Sequence, residues 1–270
     1  MIPFRTRRRL ALAITAVAVV LLVLGNGWIR ERLGHASYYS GGTLLGCLVL
    51  LILLGLRKRL VMLPLGSVST WVQIHLYTGL FALAAYALHV PRILANGIFE
   101  GGLSLLFLGV SLSGLYGWFV SRSAPRKLTA VAGDYRLERV GWDRQRIADA
   151  AAKLCKRLDA SLASNVLADY YSNALQPYFA TRPPLAYLAV PNGIRRRRLL
   201  SNLNNLDRYL SDETRGLAGQ LAALVRTRDE LDFHFALQLR LRLWVVVHSM
   251  LSVALLVWSC AHVLLVLNFI

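Results

Sequence analysis

The sequence predicts an all-α protein: a transmembrane helical bundle of about five spans, interrupted by a small helical cytoplasmic insertion. Three observations carry that prediction. Of the 270 residues, 56% are hydrophobic and mean hydropathy is +0.49, too apolar for an ordinary soluble domain. Several apolar runs approach the roughly 20 residues needed to cross a hydrocarbon core about 30 Å thick. The basic residues behind the net charge of +17 gather beside those runs rather than inside them.

The first span covers residues 10–28, behind Arg5, Arg7, Arg8 and Arg9. A basic head before an apolar run imitates a secretory signal. Gly25, Asn26, Gly27 and Trp28 follow without a small-residue cleavage pattern, so a retained anchor is expected. The second span, 41–56, is the weakest, because Arg57, Lys58 and Arg59 close it early; an extension back into residues 38–40 is open. The third runs over 70–90, the fourth over 102–120 and the fifth over 243–269.

Alternating five helices puts the basic clusters at 5–9, 57–59, 122–127 and 240–242 on one side, while loops 30–42 and 91–101 are less basic. The positive-inside rule then places the N-terminus and the long fourth-to-fifth connection in the cytoplasm, and the C-terminus outside. An integral protein of a bacterial inner membrane is the expected setting. Trp71, Trp118 and Trp244 fall at the cytoplasmic ends of their spans, as an interfacial aromatic belt would place them.

The chain thus divides into a four-helix membrane region (1–120), an insertion (121–241) and a fifth helix completing the bundle (242–270). Pro125, Pro183, Pro184 and the Pro191-Asn192-Gly193 stretch punctuate the insertion. Helices are expected over 143–162, 163–175, 194–209 and 211–240. In the last of these, Leu217, Leu221, Leu224, Val225, Leu231, Phe235 and Leu239 keep helical spacing. It should run into the fifth span unbroken, since neither Gly nor Pro intervenes from Gln220 onward. Asp212 and Glu213 suit its N-terminal dipole, while Ser211 with Thr214 is a weaker capping signal.

No GxGxxG, P-loop or HExxH pattern occurs, and Gly216 to Gly219 lies inside a predicted helix. The run Arg195 to Arg198 is either a solvated face or a contact for anionic lipid or an acidic redox partner; nucleic acid is not expected. Cys47, Cys155 and Cys260 form no CxxC or CxxCH, which argues against zinc, an iron–sulfur cluster or covalent c-type haem.

The histidines are the informative polar residues. His75 and His89 lie fourteen residues apart in the third span, His248 and His262 fourteen apart in the fifth. Fourteen helical steps return a side chain to within about 40° of one face after roughly 21 Å of rise. Both spans run from cytoplasm to outside, so His75 meets His248, and His89 meets His262, at like depth. Facing each other, the four imidazoles make two axial pairs able to hold two stacked haems. A lone transmembrane histidine can instead bond a neighbouring helix, and His234 shares the same spacing with His248. His35 and His234 fall on opposite sides and cannot share a third haem; His234 reads as a surface or interface residue.

Gly79, one turn after His75, would let a flat macrocycle approach. Gly101, Gly102, Gly109, Gly114 and Gly117, with Ser104, Ser111 and Ser113, give the fourth span either such clearance or tight packing. Arg92 outside, and Arg240 or Arg242 inside, are candidate partners for haem propionates, with generic interface roles as the alternative.

Paired histidines at this spacing on two parallel helices resemble the di-haem cytochrome b core. Their placement on spans three and five is similar to the transmembrane domain of ferric reductases and NADPH oxidases. The resemblance covers His75, His89, His248, His262 and their helices, about a third of the chain. It implies two non-covalent bis-histidine b haems passing electrons across the membrane. Those oxidases continue past a sixth helix into flavin- and nicotinamide-binding domains and lack a long insertion before the fifth; this sequence differs in both. Cytochrome b of quinol-oxidising complexes shares the spacing but not the helix order.

The expectation is an electron-transfer subunit of a membrane oxidoreductase. Its redox partners would be a flavoprotein, an iron–sulfur protein, a cytochrome c or membrane quinol. The competing readings are a haem-free helical scaffold or assembly subunit, and a transporter, which would lack the usual carboxylates in its spans.

Overall fold

The structure, a computed structural model, describes residues 4–32, 35–59, 67–90, 92–129, 137–158 and 162–268. Among them every regular element is helical, and five helices are long and apolar enough to cross a membrane. The chain is an α-helical integral membrane protein. Its contacts divide into two units, residues 1–119 with 245–270, and residues 120–244.

In the first unit, α1 spans Phe4–Glu31, α2 Ala36–Arg59 and α3 Val68–His89; α4, Ile98–Thr129, belongs to it as far as Phe119, and the C-terminal part of α10, Asp212–Asn268, completes it. Ser67 caps α3, its hydroxyl accepting from the Thr70 amide at 3.2 Å. Gly97, at φ +95°, turns the chain into α4 through a conformation that L side chains rarely adopt. Glu100 in the first turn of α4 suits the helix dipole.

Helices α1, α2 and α3 pack against one another. Tyr39 of α2 lies so close to Gly25 of α1 that a Cβ there would stand 2.8 Å from its hydroxyl oxygen. A small interior forms from Cys47, Ala82, Tyr86, Phe107 and Leu255, with Tyr86 and Phe107 stacked at 4.4 Å. Val20, Leu24, Val253 and Leu264 remain exposed, as they would be facing lipid rather than a protein core.

Three elements run further than the sequence predicts, the first of them α1, which covers Phe4–Glu31 where 10–28 is expected. The second span begins at Ala36 and carries Arg57, Lys58 and Arg59 within its last turn, since nothing in a basic residue opposes helical dihedrals. The fourth continues to Thr129 through Pro125: the proline removes one backbone bond, and the turns on either side persist.

The second unit contains α5 Val140–Cys155, after a 3₁₀ turn at Leu137–Arg139, and α6 Leu162–Tyr170. It continues with α7 Gln176–Ala180, α8 Leu185–Ala189, α9 Ile194–Leu206 and the first part of α10. Helix α5 ends before the predicted residue 162, its last carbonyls taken by the Lys156, Arg157 and Leu158 amides; residues 159–161 lie outside the described set. The expected helix 163–175 widens into a π turn at Tyr171–Leu175, which buries both of those residues. Helices α7 and α8 went unpredicted because five residues hold too little periodicity, although Pro177 opens α7 and Pro184 precedes α8.

Ser211 caps α10, its hydroxyl accepting from the Thr214 amide at 3.4 Å. Helix α10 then runs unbroken to Asn268. Leu221, Val225 and Leu231 point from it into a core with Ile147, Leu167, Leu175 and Leu203. Beside that core Asp232 Oδ1 accepts from Arg144 Nε at 2.9 Å, Arg144 Nη2 at 2.7 Å and Arg228 Nη1 at 2.7 Å. Asp229 pairs with Arg196 at 3.2 Å and accepts from the Tyr187 hydroxyl at 3.3 Å. Burial pushes the Tyr187 and Tyr178 hydroxyls well above the usual phenol range, with Asp229 and Asp232 adding to the effect.

Candidate functional site

Helix α3 carries His75 and His89, and α10 carries His248 and His262. The rings of His75 and His248 meet with centroids 6.3 Å apart and planes at 70°. His262 is an electrostatic neighbour of His89. His75 meets His248, while His89 lies within electrostatic range of His262, so the two helices run in the same direction and the four imidazoles occupy two levels. The helices behind them keep a consistent register. On α4, Ser113 and Gly114 face His248, Gly102 faces Trp258 and Phe99 faces His262, an antiparallel pairing with α10. On α2, Ser40 and Gly41 face His89 and the Leu51 carbonyl faces His75, an antiparallel pairing with α3.

Three of the four rings are held through Nδ1 by a neighbouring helix. His75 Nδ1 lies 3.1 Å from the Leu51 carbonyl, which only accepts, so Nδ1 carries the proton and Nε2 the lone pair. His89 Nδ1 lies 3.1 Å from Ser40 Oγ. That hydroxyl also lies 3.1 Å from the Ala36 carbonyl and 3.2 Å from the Ser37 carbonyl, each of which only accepts. His248 Nδ1 lies 3.1 Å from Ser113 Oγ. His262 stacks on Phe99, at 6.3 Å between centroids and 23° between planes, and Phe99 meets Trp258 at 5.6 Å.

This donor set suits haem iron. Metal-binding histidines characteristically donate their second ring nitrogen to a carbonyl or similar acceptor, which fixes the tautomer and raises the basicity of the ligating nitrogen. Two imidazoles on one first-row metal, each bonded at about 2.0–2.1 Å, place their ring centres about 6 Å apart. The His75–His248 spacing agrees with that distance. Among the described residues no three His, Cys, Asp or Glu side chains gather at one point; a bis-histidine haem takes two protein ligands.

The glycines divide in two. A Cβ on Gly41 would stand 3.0 Å from His89 Cε1, and one on Gly102 would stand 2.7 Å from the Trp258 ring, so both permit close approach. Gly114 sits 3.7 Å from His248 Cε1 by the same measure, whereas Gly79 and Gly109 border open space. Arg92 is exposed, 3.4 Å from Asn96 Oδ1, and Arg242 pairs with Glu138 at 2.8 Å. His234, expected at a surface or an interface, is buried in the second unit at 4% exposure, because the packing face of α10 there is broader than its leucines alone suggest.

Sequence reasoning missed Ser40, Gly41 and the Leu51 carbonyl as partners of the imidazoles, and it left Ser113 between macrocycle clearance and helix packing. The available signal was a small polar residue on an adjacent span at histidine depth. A backbone carbonyl leaves no such signal.

The fold and these contacts define a helical membrane protein with two histidine pairs at two levels of one bundle. The chain matches no protein-family model, no curated protein and no solved structure.

Proposed function

We propose that the chain is a membrane cytochrome b subunit carrying electrons across the bilayer through two non-covalent b haems. His75 with His248 would hold one, and His89 with His262 the other. The observation that carries this reading is the facing of His75 and His248 at 6.3 Å, with both Nδ1 atoms engaged by other helices. When bound, each haem supplies a one-electron iron couple. The protein's part is to fix ligand tautomers, exclude water and set the distance between the two levels, roughly 21 Å of helix rise.

The basic clusters favour a cytoplasmic N-terminus, a cytoplasmic second unit and an extracytoplasmic C-terminus, in a bacterial inner membrane. A flavoprotein or iron–sulfur subunit on one side, a cytochrome c on the other, or membrane quinol would exchange electrons with it.

The same Nδ1 bonds also tie α3 to α2 and α10 to α4, which favours a second reading, a haem-free scaffold subunit. One assay separates the two. A pyridine haemochrome of protein produced with ample haem should give two b haems per chain and a low-spin bis-imidazole spectrum. Protein that is folded yet devoid of haem leaves only the scaffold.

A further inference from the structure

We propose that the stretch from Arg182 to Arg198 is a docking surface for an anionic lipid bilayer. The second unit buries most of its aliphatic side chains, yet Leu185, Val190 and Ile194 are 83%, 67% and 59% exposed within ten residues of one another. Prolines 183, 184 and 191 bound the five-residue α8 between them, so this segment projects side chains without a long helix of its own. The arginine run beside it is split. Arg195, itself exposed, lies over the buried Tyr178 ring at 4.9 Å, and the half-buried Arg196 pairs with Asp229. Arg197 and Arg198 are exposed, as is Arg182 at the other end.

Exposed aliphatics among outward arginines form the composition that enters a headgroup region, the apolar groups below and the cations at phosphate level. A merely solvated face would need the charges alone. An acidic protein partner would be expected to seat aromatic anchors; the segment offers only aliphatics, its one tyrosine being bonded to Asp229. The occupant is also tethered to the unit: the chain enters it from α4 and leaves it through α10, both apolar enough to cross a membrane, so a lipid surface is offered to it at raised effective concentration. The inference is independent of haem.

The test uses the full-length protein with Cys47, Cys155 and Cys260 replaced by Ala and a nitroxide on Leu185→Cys. It is reconstituted in nanodiscs of phosphatidylcholine alone or mixed equally with phosphatidylglycerol. A label on Gln220→Cys, an exposed site about 36 Å of helix before Trp244, serves as the aqueous control. In the anionic bilayer the label at 185 should gain oxygen contact and lose contact with a water-soluble nickel chelate, while the control stays aqueous. Arg197→Glu with Arg198→Glu should reverse the change, each arginine favouring the docked state by about fivefold. Equal nickel access in both bilayers overturns the proposal. So does equal shielding in neutral lipid or in detergent, which would assign the segment to a protein contact.

Discussion

Replacing Asp232 by Ala should unfold the second unit far more often than any exposed substitution. Arg228 is 1% exposed, and Asp232 Oδ1 receives both its guanidinium and that of Arg144. Removing the carboxylate strands two cations. Arg144 retains some access to solvent, and Arg228 keeps one bond, from Nη2 to the Thr181 carbonyl at 2.8 Å. Deleting one partner of a buried pair costs about 3–5 kcal/mol, because the remaining charge stays desolvated. Where proteolysis follows the open population, that range raises cleavage about 150- to 5,000-fold. The assay is limited proteolysis of nanodisc-embedded protein, following bands that arise within residues 120–244. Exchanging the pair for apolar residues, Arg228→Met with Asp232→Leu, should recover the part of the loss that Arg228 causes, since it removes the more deeply buried of the two stranded charges and leaves only Arg144, which retains some access to solvent. A rise below about tenfold for Asp232→Ala, or a double variant as labile as the single one, would refute the reasoning.

The remaining expectations concern the first unit, topology and one thiol. His75→Ala and His248→Ala should remove the same low-spin haem signal in electron paramagnetic resonance, and His89→Ala and His262→Ala the other; His35→Ala should spare both, and different signals lost within one pair would break the parallel arrangement. Gly41→Val should press a side chain into His89 and Gly102→Val one into Trp258, each at about 1–3 kcal/mol, read as a lower melting temperature in detergent; unchanged melting would mean that the helices part without strain. Reporter fusions after Gly193 and after Ile270 should report opposite sides of the membrane, and the same side for both would remove a span. Burial pushes the Cys155 thiol up, so less thiolate is present at neutral pH; iodoacetamide should label it more slowly than an exposed thiol, accelerating as pH rises, as peptide mass spectrometry can follow.

The fold class was legible because membrane spans advertise themselves twice, as apolar runs and as the basic clusters that bound them. The unbroken passage of α10 could be read from the lack of Gly and Pro beyond Gln220, an inference about backbone alone. Boundaries inside the second unit were harder. The π turn at Tyr171–Leu175 exists because burying both ends outweighs ideal helical geometry, and α8 is held by its surroundings rather than by its own five residues. Fourteen-residue spacing pointed to the histidine pairs. The partners that orient them belong to α2 and α4, and helical periodicity says nothing of which residues on different helices meet. The triad at Asp232 was equally hidden: Arg228 and Asp232 are four residues apart and read as a surface pair, and only the arrival of Arg144 from α5 makes them a buried network.

The two readings of the first unit share their hydrogen bonds and differ in what those bonds leave to be explained. Tying α3 to α2, or α10 to α4, needs one polar side chain at each crossing, and Ser, Thr or Asn would serve. It does not require a histidine opposite a histidine. Bringing His75 and His248 together in a low-dielectric bundle carries a cost, because two imidazolium charges at that distance would repel. His75 has its tautomer fixed by the Leu51 carbonyl, so its lone pair lies on Nε2. A metal between the rings would turn the like-depth pairing from a burden into the purpose of the arrangement. That is why the haem reading is preferred over the scaffold, and why His75→Ala and His248→Ala, which cut different interhelical bonds, should nonetheless share one spectroscopic consequence.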